Sequence, residues 1–259
     1  MISSYDFTIF KYIELINFFS KNNIPTYTFK EWLELKPKNG VLLRHDVDRK
    51  AKNSLDFAYE LNRHNRTGTF NFRTTKSSYK VETIKKISSM KNEIGYHYED
   101  YSDCKGSMPD ALKSFEENLS KIRNICSVDT ITMHGSPLSK FDNRDMWLSN
   151  DFKSYKLIGE GYLSIDYKNI YYFTDTGRTW GNTTSNIRDK VNNSKIVKEK
   201  ISSTNELINF INNNRDESFV LVFHPERWAS TLIDYIFQFI FDKITSIIKR
   251  LINYKNRSK

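Results

Sequence analysis

Apolar positions along the 259-residue chain fall into two recurring patterns. Short runs rich in β-branched and aromatic residues stand at Val41–Leu43, Thr69–Phe72, Glu93–Tyr96, Thr130–Met133, Ile170–Phe173 and Phe219–Phe223. Each has the length of a strand. Between several of them the apolar spacing changes to three and four residues, which predicts helices over roughly 51–65, 77–91 and 108–125. In the last of these Ala111, Leu112, Phe115, Leu119 and Ile122 keep the helical period. Strand followed by helix, repeated, predicts a largely parallel sheet or barrel, whose ligands sit at the carboxyl ends of the strands.

Composition narrows this picture. An apolar fraction of 38% with 14% aromatic residues is enough for one sizeable core. Five prolines, nine glycines and no internal repeat leave no sign of a linker, so one continuous fold is expected. The two cysteines, Cys104 and Cys126, lack metal-type spacing and are too few for a disulfide framework, which predicts a reducing compartment. The opening Met1-Ile2-Ser3-Ser4-Tyr5-Asp6 has neither a basic region nor a cleavage site, so a cytoplasmic protein is expected. The net charge of +9 is scattered along the chain, and no nucleic-acid partner is predicted. Only the C-terminus concentrates it: Lys243, Lys249, Arg250, Lys255, Arg257 and Lys259 face two acidic residues, Asp234 and Asp242.

Four of the five histidines, His45, His97, His134 and His224, stand at or just beyond a predicted strand end. A lone histidine there is usually structural, but several on one rim point to a shared metal or catalytic site. The fifth, His64, lies in a helix-like stretch without chemical partners and is expected at the surface. The first cluster reads Arg44-His45-Asp46-Val47-Asp48-Arg49. Alternation along an extended segment puts Asp46 and Asp48 on one side, and two such carboxylates need a cation or a proton between them. A solvated loop paired with Arg44 and Arg49 is the other reading of the same residues. His97 follows Glu93-Ile94-Gly95-Tyr96 and precedes Glu99 and Asp100, while His224 closes an apolar strand and is followed by Pro225, which stops it.

The segments His45-Asp46-Val47-Asp48, Glu93–His97, His134-Gly135-Ser136-Pro137-Leu138-Ser139-Lys140 and His224-Pro225-Glu226-Arg227-Trp228 together resemble the NodB-type polysaccharide deacetylases, carbohydrate esterase family 4. The branch they look most like is the one found in O-antigen and surface-polysaccharide gene clusters. The resemblance covers about residues 40 to 230 in four ordered motifs. It implies a distorted (β/α) barrel of about seven strands over residues 1–231, a catalytic domain, and a divalent ion: zinc first, with nickel or cobalt as alternatives. By the resemblance, Asp46 is the general base, Asp48 and His97 are metal ligands, and His224 is the general acid. Asp175–Trp180 also looks like this branch, and it places Arg178 and Trp180, with Trp228, at the substrate groove. One position departs from the family: the second histidine ligand, four residues after His97, is replaced by Tyr101. His134 is the preferred substitute, then Glu99 or Asp100.

The reaction so implied is removal of an N-acyl group, acetyl first, from a nucleotide- or lipid-linked amino sugar in surface-polysaccharide synthesis. A sugar deformylase of the same fold and a metal-free carbohydrate-binding pseudoenzyme are the alternatives. Residues 232–259 are expected as an amphipathic basic helix in which Ile233, Ile236, Phe237, Ile240, Ile244, Ile247, Ile248 and Leu251 recur at helical spacing. Asp234, Asp242 and Lys243 interrupt the run too often for a membrane span. The helix then either packs its apolar stripe on the core or lays it on anionic lipid, a peripheral contact at the inner face of the membrane.

Overall fold

The structure, a computed structural model, describes residues 2–136, 139–181, 191 and 193–257. Pro137 and Leu138 of the third motif and Lys259 of the basic tail lie outside the described residues. The strands are β1 (Thr26–Tyr27), β2 (Gly40–Val47), β3 (Thr69–Phe72), β4 (Glu93–Tyr98), β5 (Thr130–Met133), β6 (Gly159–Glu160), β7 (Ile170–Thr174) and β8 (Ser218–Phe223). The helices are α1 (Ile9–Lys21), α2 (Phe29–Leu35), α3 (Asn53–Arg63), α4 (Val81–Ser89), α5 (Asp100–Asp103), α6 (Met108–Arg123), α7 (Thr204–Asn213) and α8 (Leu232–Arg257). All strand pairs are parallel, in the order β6-β5-β4-β3-β2-β8-β7, with β1 added beside the first half of β2.

This sheet curls into an incomplete (β/α) barrel of seven strands, as expected. Its edge strands approach each other across the guanidinium of Arg44, which donates to the Tyr162 hydroxyl just beyond β6 at 2.9 Å and to the Tyr172 hydroxyl on β7 at 3.4 Å. The connection between β6 and β7 thus closes the gap with side chains where no ladder forms. Gly161 is required there, because a Cβ would press on Thr132 Oγ1 and Arg44 Nη1.

Alternation along the strands separates two environments. Val41 and Leu43 of β2, Phe70 and Phe72 of β3, Tyr96 and Tyr98 of β4, and Phe219, Leu221 and Phe223 of β8 join the main core with Phe57, Leu61, Ile84, Ile87 and Phe115 of the surrounding helices. The intervening positions face the barrel interior. At its amino end these are apolar, with Leu42, Val220 and Val222 packed under Phe29 and Trp32 of α2. Towards its carboxyl end they turn polar: Arg44, Asp46, Asn71, His97 and Thr132 are all buried.

His45 therefore does not belong to the rim, despite its place in the first motif. Its parity turns it into the helix layer, where its ring stacks 4.2 Å from Phe70 and 5.1 Å from Phe223. Its Nδ1 donates to the Thr69 carbonyl at 3.0 Å, and Nε2 accepts from the Tyr12 hydroxyl at 3.0 Å. Burial lowers this imidazole to about 4. The unfolded chain, with an ordinary value of about 6.5, then binds the proton first. The stabilisation is complete above pH ~6.5 and lost as pH falls to ~4, on the order of 3 kcal/mol in all.

The last helix departs from the simpler expectation. It docks through its polar side: Gln238 is 5% exposed whereas Ile233 and Phe237 are each 69% exposed. Asp242 holds Arg178 at 3.5 Å, and Tyr235 lies 4.9 Å from Tyr5. The apolar stripe is not packed on the core, because the surface beneath α8 offers ion-pair and aromatic partners to its polar face. Among the described residues no helix is long and apolar enough to cross a membrane.

A His45→Leu variant should unfold more easily at pH 7, by about 1–3 kcal/mol, because the buried Tyr12 hydroxyl loses its acceptor. Its denaturation midpoint should also change less between pH 6.5 and pH 4 than that of the native chain, as a urea titration at several pH values will read.

Candidate active site

The carboxyl ends of β2, β4, β5, β7 and β8 meet at one end of the barrel and bring together groups far apart in the chain. Asp48 follows β2, His97 is in β4, and His134 follows β5. Asp48 Oδ1 lies 3.3 Å from His97 Nε2 and 3.1 Å from His134 Nδ1, and the two imidazole nitrogens are 3.3 Å apart. One donor atom from each residue falls within 4.8 Å of the others. His134 thus lies together with Asp48 and His97. Tyr101 itself, on α5, turns its ring to Phe141 at 5.5 Å.

This donor set fits a divalent ion. Asp48 Oδ1 is buried and has no hydrogen bond of good geometry, although two ring nitrogens converge on it. Two imidazole nitrogens facing one carboxylate oxygen need a proton or a cation among them, and nitrogen and carboxylate donors suit zinc. His97 Nδ1 donates to the Thr132 carbonyl at 2.9 Å, which fixes the tautomer that turns the Nε2 lone pair inward. Glu99 Oε2 stands 3.9 Å behind His134 Nε2 and is gripped by Arg73 at 2.6 and 2.7 Å. Asp100, the other alternative ligand, is spent elsewhere: it accepts from Tyr96, Ser114 and Asn118 at 2.6, 2.7 and 2.8 Å.

The electrostatics follow from crowding. Burial works against ionisation of Asp48, yet His134 and His97 hold its carboxyl well below the usual carboxylate range. Burial likewise opposes a charged His97, and Asp46 and Asp48 together raise it. Asp46 is held by Arg44 at 3.1 Å and Asn71 at 2.8 Å, with 1% of its surface exposed. Gly95 leaves room for that arrangement, since a Cβ would collide with the Asn71 amide oxygen.

His224, just past β8, forms the second half of the site. Its Nδ1 donates to Asp175 Oδ1 at 2.6 Å, and its backbone N–H donates to Asp175 Oδ2 at 2.8 Å. Burial and the Arg227 charge disfavour protonation, but Asp175 outweighs them and raises the imidazole to about 9. Asp175 carried no role in the sequence reading beyond a substrate loop. Part of its signal was available, since it directly follows a strand, β7, as the four histidines stand at strand ends. Glu226 is also drawn in, burial and the Asp48 charge pushing it up to about 7 against His224 and Arg227.

The three residues expected at the substrate groove stand behind the rim instead. Trp180 is fully buried among Phe7, Phe223 and Trp228, and its indole N–H donates to Thr204 Oγ1 at 3.1 Å. Trp228 is 2% exposed and donates to Asp175 Oδ2 at 2.7 Å, so it helps aim His224. Arg178 is tied to Asp242 and packs over Tyr235 at 4.7 Å. Large rings gain more from burial than from a wet rim when their N–H groups find internal partners.

No protein-family model matches the chain, and no curated protein matches it. Among solved structures it is similar to a mutant of a carbohydrate esterase family 4 pseudoenzyme with restored enzymatic activity. That match has 12% identity and a TM-score of 0.44, and it covers 80% of this chain and 62% of the other. The chain therefore spans less than two thirds of that structure's length. It is also similar to a family 4 carbohydrate esterase from Bacillus anthracis, with 13% identity, a TM-score of 0.35, and coverage of 81% and 76%.

In Asp175→Asn the balance at His224 reverses, because burial and Arg227 then meet only the Asp48 charge. Its NMR titration should fall from about 9 to the ordinary 6.5 or below. The sign for stability is that of a raised group: the contribution is full below pH ~6.5, is lost as pH rises through ~9, and is missing in the variant.

Proposed function

We propose that the chain is a hydrolase that removes an N-acyl group, acetyl first, from an amino sugar. One juxtaposition carries this reading: a three-residue divalent-ion site on the same rim as a buried carboxylate and a separate imidazole–carboxylate pair. Amide hydrolysis needs an activated water, a polarised carbonyl and a proton for the departing nitrogen, and each requirement has a group here.

Asp48, His97 and His134 would hold the ion, and three protein ligands are what catalytic zinc sites use. The chemistry that zinc, or nickel or cobalt, supplies in such a site is acidification of water and polarisation of a carbonyl. The chain's own residues do the rest. Asp46, pinned by Arg44 and Asn71, takes the proton of the attacking water as its oxygen bonds to the acyl carbon. His224, held protonated by Asp175, then delivers a proton to the nitrogen as the C–N bond breaks. The products are the free amine and the carboxylate. Trp228 and the Asp175 carboxylate keep the imidazole aimed, and the buried position of both acids restricts water around them.

The resemblance of the four motifs supports a sugar of surface-polysaccharide synthesis, carried on a nucleotide or a lipid.

Purified protein should carry close to one zinc, nickel or cobalt ion per chain, and His97→Ala or His134→Ala should lose it. Acetate should be released from N-acetylated amino sugars, with formate from formylated ones the mark of a deformylase. Asp46→Asn and His224→Asn should keep the ion and lose roughly 10²–10⁴-fold in kcat. Activity should decline above about pH 9 as His224 loses its proton, and a bound cation moves that limb lower. A protein that binds no metal, or an Asp46→Asn variant of native rate, sinks the proposal.

A further inference from the structure

The most unusual surface on the molecule is α8, whose amphipathicity is turned inside out. Along its described side chains the apolar residues point away from the body: Leu232, Ile233, Ile236, Phe237, Ile240 and Ile244 are all half or more exposed, within a few per cent. Phe239, Phe241 and Ile247 are exposed as well. At about 100° per residue these positions sweep an arc of roughly 200°. Gln238 and Asp242 occupy the opposite side, where Gln238 donates to Asp242 at 2.9 Å and Asp242 holds Arg178. A contiguous exposed apolar face of this extent marks an interaction site, since covering it removes that area from water.

We infer that the occupant is an anionic lipid bilayer, on which α8 lies in the plane of the headgroups. The width of the arc favours it. One partner helix covers a narrow seam, whereas a helix sunk into the boundary of headgroups and acyl chains is wetted by an apolar medium over half its circumference. Charge favours it too. After Asp242 the sequence holds Lys243, Lys249, Arg250, Lys255, Arg257 and Lys259 and no acidic residue. The same segment of a second copy brings no counter-charge for these cations, while phosphate headgroups supply it. Lys243 Nζ rests 5.4 Å from the Phe239 ring, a stem running along apolar surface with its charge free to rise.

The helix is also joined to the rim. Arg49 caps the Phe241 ring at 4.0 Å and lies 4.0 Å from Glu226, two residues beyond His224. Arg178 links Asp242 to the segment that starts with Asp175. A bilayer under α8 therefore sits beside the mouth of the site. Joined to the hydrolase proposal, on which this clause alone rests, that placement selects a lipid-linked amino sugar over a nucleotide-linked one.

The test is sedimentation of the full chain with vesicles of phosphatidylcholine alone and of phosphatidylcholine mixed with phosphatidylglycerol, which requires no catalysis. The chain should partition to the mixed vesicles, and more weakly at high salt. Ile233→Ser/Phe237→Ser/Ile240→Ser should reduce the partition roughly 100-fold. Lys249→Gln/Arg250→Gln should reduce it roughly five-fold per charge on mixed vesicles and leave phosphatidylcholine binding unchanged. A native chain that stays in the supernatant with both vesicle types overturns the proposal, as does a charge variant that binds mixed vesicles like the native chain. A dimer by light scattering that ignores vesicles and dissociates in the triple variant assigns the face to a second copy. Because vesicle binding is read without substrate, its failure leaves the hydrolase proposal standing, and an inactive chain that still binds vesicles does the reverse.

Discussion

Enclosing several carboxylates in one small barrel is the constraint from which the rest of the structure follows. A buried carboxylate left alone costs many times what a hydrogen bond returns, so each must bring a partner or a cation. Asp46 has Arg44 and Asn71, and Asp175 has His224, Trp228 and a backbone N–H. Glu160 accepts from the backbone N–H groups of Met133, Tyr162 and Leu163. Glu93 is shared by the hydroxyls of Thr69 and Thr130 and the backbone of Lys30. Asp48 Oδ1, with the rings of His97 and His134 converging on it, lacks a well-formed hydrogen bond, and among the described residues Asp46 Oδ2 and Glu226 Oε2 share that deficit. The site expected to take an ion is the place where the internal pairing of charges is left incomplete.

Arg44 connects this chemistry to the architecture. It neutralises Asp46 on one side and spans the open seam of the barrel to Tyr162 and Tyr172 on the other. Burial would strip its charge, but Asp46 and the surrounding phenols keep it protonated. The edge strands need no ladder between them because this guanidinium and the β6–β7 connection occupy the gap. Closing the barrel and orienting the proton acceptor are thus two consequences of a single buried cation.

The periphery follows a different logic. Trp180, Trp228 and Phe7 fill the space behind His224, and Arg178 extends that packing outward to Tyr235, Phe239 and Asp242. The helix bearing these last three residues is attached by polar and aromatic contacts, which frees its aliphatic side. An attachment of this kind holds a helix in a defined place without consuming its apolar surface.

Sequence alone determined six of the strands from β-branched runs of the right length, and α3, α4, α6 and α8 from their three-to-four-residue spacing, because both periods are properties of the local backbone; α1, α2, α5 and α7 were not predicted. It also placed Asp46, Asp48, His97, His134 and His224 at strand ends, which in a parallel fold is enough to predict one shared rim. The two-residue strands β1 and β6 were too short to show a period. Tertiary structure decided which side of each strand the barrel encloses. That choice sent His45 into the helix layer and its neighbours into the site, although all three lie within one motif. It decided that Asp175 meets His224, 49 residues away, because β7 and β8 are paired. It also decided that α8 turns its apolar stripe outward, since a helical period shows only that a stripe exists, and what the stripe faces depends on which partners the folded surface presents to each side.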